Sequence, residues 1–124
     1  MYTLHVSKAK KFDLPGRTIY SMVGHHGIKS NQMAFGIAEL PPKSKMDPHK
    51  HIDEEEIIYI TEGFGKVHIG NDLIEPLEPG TVIVAPRGVD HILENESSNV
   101  MKWCWVFNPP VLIGSHAAYK NDLK

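Results

Sequence analysis

Nine prolines and ten glycines interrupt this chain of 124 residues, and few of the pieces between them are long enough for a helix. A helix interior loses about 3 kcal/mol at a proline and about 1 kcal/mol at a glycine, whereas short strands end naturally at such residues. The intervening segments run apolar or alternate over four to eight residues: Met33–Leu40, Ile57–Thr61, Lys66–Ile69, Thr81–Ala85 and Val100–Phe107. Short segments at that spacing, bounded by turn residues, predict an all-β sandwich or barrel. Gly70-Asn71-Asp72 predicts a hairpin, because glycine and asparagine tolerate the positive φ of tight turns. Pro41-Pro42, Glu75-Pro76, Glu78-Pro79-Gly80, Pro86-Arg87-Gly88 and Pro109-Pro110 predict loops. The length suits a single domain over 1–124, with an N-terminal strand arm over 1–20 and a short C-terminal tail over 108–124. Within that tail, 115–124 reads as a short helix or a loose surface segment.

Thirteen Lys and Arg against fifteen Asp and Glu leave a formal charge of −2, so neither nucleic acid nor an anionic membrane is expected as a partner. Cys104 is the one cysteine, which excludes an internally disulfide-stapled scaffold. Lys8, Lys10 and Lys11 are not followed by the apolar run of a signal peptide, and no stretch approaches the roughly 20 apolar residues of a membrane helix. A soluble, cytoplasmic protein is expected. Its one unusual compositional feature is eight histidines.

Strand parity makes a first approach to the interior. In Val100–Phe107, Met101, Trp103, Trp105 and Phe107 share one face, and Val100, Lys102, Cys104 and Val106 share the other. The first set carries more apolar area and the second carries Lys102, so the Met/Trp/Trp/Phe face is expected inside. In Met33–Leu40, Met33, Phe35 and Ile37 stand opposite Ala34, Gly36 and Ala38, and the pattern does not decide which face turns to a pocket. With Phe35 inward, Glu39 shares its face and becomes a candidate acid or base. Ile58 shares a face with Glu56 and Ile60, and Tyr59 points the other way and reads as a packing residue. The expected pocket lining is therefore Met101, Trp103, Trp105, Phe107, Phe35 and Ile58.

His49 and His51 are two residues apart, which on a strand places both imidazoles on one face. Two nitrogen ligands on a rigid strand are half of a transition-metal site. A carboxylate at the start of the next apolar strand would lie beside them.

The spacing extends further. His49-x-His51-x4-Glu56-x6-Gly63 resembles the first motif of the cupin superfamily, and Gly80-x5-Pro86-x-Gly88-x2-His91-x3-Asn95 resembles the second. Sixteen residues, 64–79, separate the two, and the resemblance covers about 40–107. It departs at Lys43, where the family often has glycine. The resemblance implies a double-stranded β-helix, or jelly roll, of two antiparallel sheets around a pocket. It carries the metal ligands over to His49, His51, Glu56 and His91, with Glu56 favoured over Glu55 by its distance to Gly63. Glu54 and Glu55 are then expected in solvent, and Asn95 as a hydrogen-bonding loop residue.

Three imidazoles and a carboxylate suit one divalent transition metal per chain: Fe, Mn, Ni, Zn, Co or Cu. Such a site leaves coordination positions open for catalysis. Together with an apolar wall, this favours an enzyme on a small carboxylate- or carbonyl-bearing molecule, of dioxygenase or lyase/decarboxylase type. The alternatives are a sugar isomerase or epimerase, and a cupin that binds a ligand or metal without turnover. The family commonly pairs its open sheets, so a homodimer is expected, with Tyr2–Val6 as a strand that could be exchanged. His25 and His26 read as a surface loop, His5, His68 and His116 as isolated, and Cys104 as a small buried hydrophobe.

Overall fold

In the computed structural model, residues 1–113 are described, and the expectation for 115–124 and His116 lies outside them. Eleven strands follow in order: β1 (Lys10–Leu14), β2 (Arg17–Gly24), β3 (Ile28–Lys29), β4 (Ala34–Leu40), β5 (Ser44–Lys45), β6 (Glu55–Glu62), β7 (Gly65–Ile69), β8 (Asp72–Leu77), β9 (Val82–Ala85), β10 (His91–Asn95) and β11 (Met101–Asn108). The larger sheet has the order β1-β2-β4-β11-β6-β9, with β3 beside β2; the smaller has the order β5-β10-β7-β8. All pairings are antiparallel except the short β2–β3 contact. This is the jelly roll expected from the sequence.

The five strands read from periodicity appear as β4, β6, β7, β9 and β11, each shifted by no more than two residues at either end. The hairpin at Gly70 joins β7 to β8, with Ile69 opposite Asp72. Glu75-Pro76, expected in a loop, lies instead in β8, the edge strand of its sheet, where a missing N–H disturbs no central ladder. Other segments differ from expectation too. Tyr2–Val6 forms no strand; Val6–Lys8 instead makes a 3-10 turn whose Ser7 N–H is accepted by the His5 ring at 3.1 Å. The N-terminal arm expected over 1–20 takes the form of the hairpin β1–β2, turning at Pro15-Gly16 and running on to Gly24; periodicity does not show it, because its inward positions Arg17 and Ser21 are polar and its outward ones include Tyr20 and Met22.

The core lies between the sheets. Met101, Trp103, Trp105 and Phe107 are all buried, as parity required, while Lys102, Cys104 and Val106 alternate outward. β4 resolves the question its pattern left open in favour of its small face. Ala34, Gly36 and Ala38 point inward, opposite Phe107, Trp105 and Trp103, and the larger Phe35 and Ile37 point out. The reason is volume: a Cβ on Gly36 would overlap the Trp105 ring and the Tyr20 carbonyl, so the indoles fill space that small neighbours vacate.

At the far end of the barrel Asn95 ties β10 to the end of β4 and to the loop 97–99. Its side-chain amide donates to the carbonyls of Leu40, Pro41 and Asn99 and its oxygen accepts from the Ser97 N–H and hydroxyl. This matches the expected hydrogen-bonding role.

Candidate metal centre

Three pieces of backbone bring the histidines together. Met46 N–H donates to Leu93 O at 3.0 Å, His91 N–H to His49 O at 3.1 Å, and Gly88 N–H to His51 O at 2.8 Å. The 46–51 segment is therefore laced antiparallel against β10 and the turn before it, although only His49 makes a bridge and no regular strand forms there. Pro48, which has no N–H to give a ladder, accounts for the irregularity. Gly88 takes φ 72° in that turn, a left-handed conformation that glycine adopts without a Cβ penalty. Three residues later β10 begins with His91 pointing inward. Glu56 enters from β6, on the same face as Ile58 and Ile60.

The four side chains are buried, at 6% exposure for His49, 8% for His51, 5% for Glu56 and 1% for His91. One potential ligand nitrogen from each histidine lies within 4.8 Å of the others. Glu56 Oε1 is 2.9 Å from His91 Nε2, yet neither atom, nor His91 Nδ1, makes a hydrogen bond in the protein. A buried polar atom without a partner costs about 1–3 kcal/mol, so the facing Oε1 and Nε2 call for a ligand between them. His49 Nδ1 donates to the Asp47 carbonyl at 3.1 Å, which leaves Nε2 as the lone-pair nitrogen. The donor set and its orphaned atoms fit a divalent transition metal.

Glu54 differs from expectation. It is half-buried, its carboxylate sits 3.9 Å from His51 Nδ1, and burial, followed by the neighbouring Asp53 charge, raises its pKa. Glu55 is exposed, as expected. The turn places the Glu54 carboxylate beside the His51 ring, three residues along the chain.

The imidazoles of His49 and His51 and the Glu56 carboxylate open on a cavity of about 40 Å³ whose apolar wall includes Ile58, Trp103, Trp105 and Phe107. The His51 and Phe107 rings meet edge to face at 4.7 Å. Other expected lining residues lie elsewhere. Phe35 stands on the outer face of the larger sheet, for the volume reason given above, and Met101, though wholly buried, packs in the core and does not reach the cavity. Glu39 shares the outer face with Phe35 and lies 3.9 Å from Lys102, which removes it from the site. Sequence reasoning missed Arg17, 8% exposed, which lines the cavity from β2. Its pKa is lowered by burial and raised by the charges of Glu56 and Asp47. The Pro15-Gly16 turn and the alternation from Arg17 to Ser21 were its available signal.

Tyr59 is 48% exposed rather than packed. His25 is exposed, whereas His26 is half-buried edge-on against Phe12, and neither is near the cluster. Among the described residues no helix is long and apolar enough to cross a membrane.

A family model described as "Cupin domain" matches residues 36–107. An uncharacterised protein, MJ1618, of Methanocaldococcus jannaschii is 30% identical over 95 residues, covering 77% of this chain and 75% of that one. An oxalate-binding protein of Thermotoga maritima is 36% identical over 83 residues, 66% of this chain and 67% of its own. The crystal structure of ectoine synthase from P. lautus superposes with a TM-score of 0.77 at 16% identity, over 98% of this chain and 86% of that one. At that identity the likeness speaks for the fold alone.

Proposed function

Because the chain belongs to the cupin family, we propose that it holds one divalent transition metal per chain on His49, His51, Glu56 and His91, and acts there on a small carboxylate- or carbonyl-bearing molecule by dioxygenase or lyase/decarboxylase chemistry. The observation that carries the reading is the buried contact of Glu56 Oε1 with His91 Nε2 at 2.9 Å, unsatisfied within the protein. Bound there, a metal would supply Lewis-acid polarisation of a substrate oxygen or a site for dioxygen.

The chain's own residues do the rest. The Asp47 carbonyl fixes the tautomer of His49, and Glu54 stands beside the His51 ring. Ile58, Trp103 and Phe107 give the cavity an apolar wall, and electrostatic interactions beside such a wall are stronger than in bulk water. Its small volume and apolar wall give less support to a sugar isomerase than to chemistry on a compact acid or ketone.

Elemental analysis of untagged protein tests the ligand set. The wild type is expected to carry close to one metal per chain, and His49→Ala and His91→Ala to lose it. A folded wild type that takes up no metal on reconstitution would refute the assignment. A second reading, ligand binding without turnover, draws support from the small cavity and from the similarity to an oxalate-binding protein. Oxygen uptake or product formation abolished by His91→Ala separates the enzyme from the binder.

The same reading includes a homodimer. Ile57, Tyr59, Val82 and Val84 expose 43%, 48%, 60% and 50% of their surface side by side on β6 and β9, an apolar face that pairing would cover. A monomeric mass by light scattering would sink it.

A further inference from the structure

We propose that Arg17 is the substrate-anchoring residue of this centre, and that the molecule it anchors is a small carboxylate held by the guanidinium fork. The inference rests on the metal-centre reading and deepens it. Arg17 is one of the least expected residues to find buried in a cavity wall beside Trp105 and Phe107, because a desolvated guanidinium is costly unless something negative faces it.

The negative charges that act on Arg17 are those of Glu56 and Asp47. In the metal-free chain Glu56 therefore balances Arg17. A divalent metal on Glu56 changes the balance: imidazole ligands are neutral, so metal, Arg17 and Glu56 together leave a net positive charge of about two in the cavity. Asp47 lies on the exposed side and offsets part of it through solvent. A small anion entering the cavity would neutralise the remainder.

Arg17 shares its cavity with the imidazoles of His49 and His51 and with Glu56, so an anion on the guanidinium would lie in the same recess as the metal. Arginine presents a planar fork of donors that matches the two oxygens of a carboxylate, which a lysine ammonium does not. Size narrows the class again. About 40 Å³ holds roughly three water-sized groups, which restricts the anion to one near the size of formate or acetate.

The test uses zinc-loaded protein, its zinc content measured first, titrated with sodium acetate. The chain's two tryptophans both line the cavity, so their fluorescence reports on the site, and calorimetry supplies the affinity. Saturable acetate binding is expected, weakened about 10- to 100-fold in Arg17→Gln and by less in Arg17→Lys. Acetamide, of the same shape and neutral, is expected to bind at least about tenfold more weakly than acetate.

No acetate binding by the zinc-loaded wild type overturns the proposal. So does Arg17→Gln with wild-type affinity, which would make Arg17 a counter-charge for Glu56 only, or acetamide binding as well as acetate does. Should Arg17→Gln not fold, Arg17→Lys with undiminished affinity refutes recognition by the guanidinium fork. A wild type that takes up no zinc refutes the metal centre instead. The acetate titration of metal-free wild type against Arg17→Lys then decides the anchor, with equal affinity or no binding counting against it.

Discussion

Asn95 offers a quantitative test of how the barrel end is held. Its amide nitrogen donates to Leu40 O at 3.1 Å, Pro41 O at 3.0 Å and Asn99 O at 2.8 Å, sharing two hydrogens among three carbonyls. Its oxygen accepts from Ser97 N–H at 2.9 Å and the Ser97 hydroxyl at 2.6 Å. At about 1 kcal/mol per net bond, plus the cost of leaving buried partners unsatisfied, Asn95→Ala loses about 3–4 kcal/mol. For a domain of this size, about 4 °C per kcal/mol lowers Tm by roughly 12–16 °C. Asn95→Asp separates hydrogen bonding from volume. A carboxylate keeps the bonds from Ser97 but faces the carbonyl oxygens with no hydrogen to give them, so at pH 8 this variant is expected to be less stable than the alanine one. Its folded-state pKa would lie above the unfolded value near 3.9, because only the protonated form can donate. The stability it retains is then present at low pH and lost as pH rises through the folded pKa, so its deficit against wild type shrinks on acidification. Thermal melts of both variants in the metal-free state from pH 4.5 to 8 provide the measurement. A loss under about 1 kcal/mol for Asn95→Ala, or an aspartate variant at least as stable as the alanine one at pH 8, would refute the hydrogen-bond account.

Further outcomes follow from other sites. Gly36→Val is expected to destabilise by about 1–3 kcal/mol or more, since the new side chain must displace the Trp105 ring, while Phe35→Ala on the outer face costs less; chemical denaturation of the pair checks the direction of β4. Glu39→Ala is expected to leave metal content unchanged, and a loss of metal would return Glu39 to the site. Burial raises the Cys104 pKa, so at pH 7 less thiolate is present and a disulfide reagent should react more slowly than with the unfolded chain, the gap narrowing as pH rises; equal rates at pH 7 would contradict the burial. Zinc at about 100 times its Kd should raise the stability of wild type by about 2.7 kcal/mol and leave the melting temperature of His91→Ala unmoved.

The parts of this molecule that were legible in its sequence are those where a side chain's chemistry and its position agree. β11 alternates large apolar residues with Lys102 and intermediate ones, so its inward face could be read directly. The histidines at 49, 51 and 91 and the glutamate at 56 carry their spacing with them, and the structure brings all four together inside the barrel. β4 failed that rule, because the apolar stripe and the buried stripe are different stripes. The buried one is Ala34, Gly36 and Ala38, chosen by the indoles across the strand rather than by its own hydrophobicity. No reading of β4 alone could choose between them, since the deciding volume belongs to β11.

β2 failed for a reason that bears on function. Its inward positions, Arg17, Ile19 and Ser21, look like a solvent face, and its outward Tyr20 and Met22 look like a core face. A polar stripe buried in a small domain costs stability unless partners meet it. Ser21 has one in the His26 carbonyl, to which its hydroxyl donates at 3.3 Å. Arg17 faces two carboxylate charges, one of which belongs to the proposed ligand set. The place where periodicity misleads is thus the place where the barrel wall departs from what folding alone would select. A strand whose only task was to close this sheet would carry an aliphatic side chain at position 17, and the cation standing there is most simply explained by what the cavity has to hold.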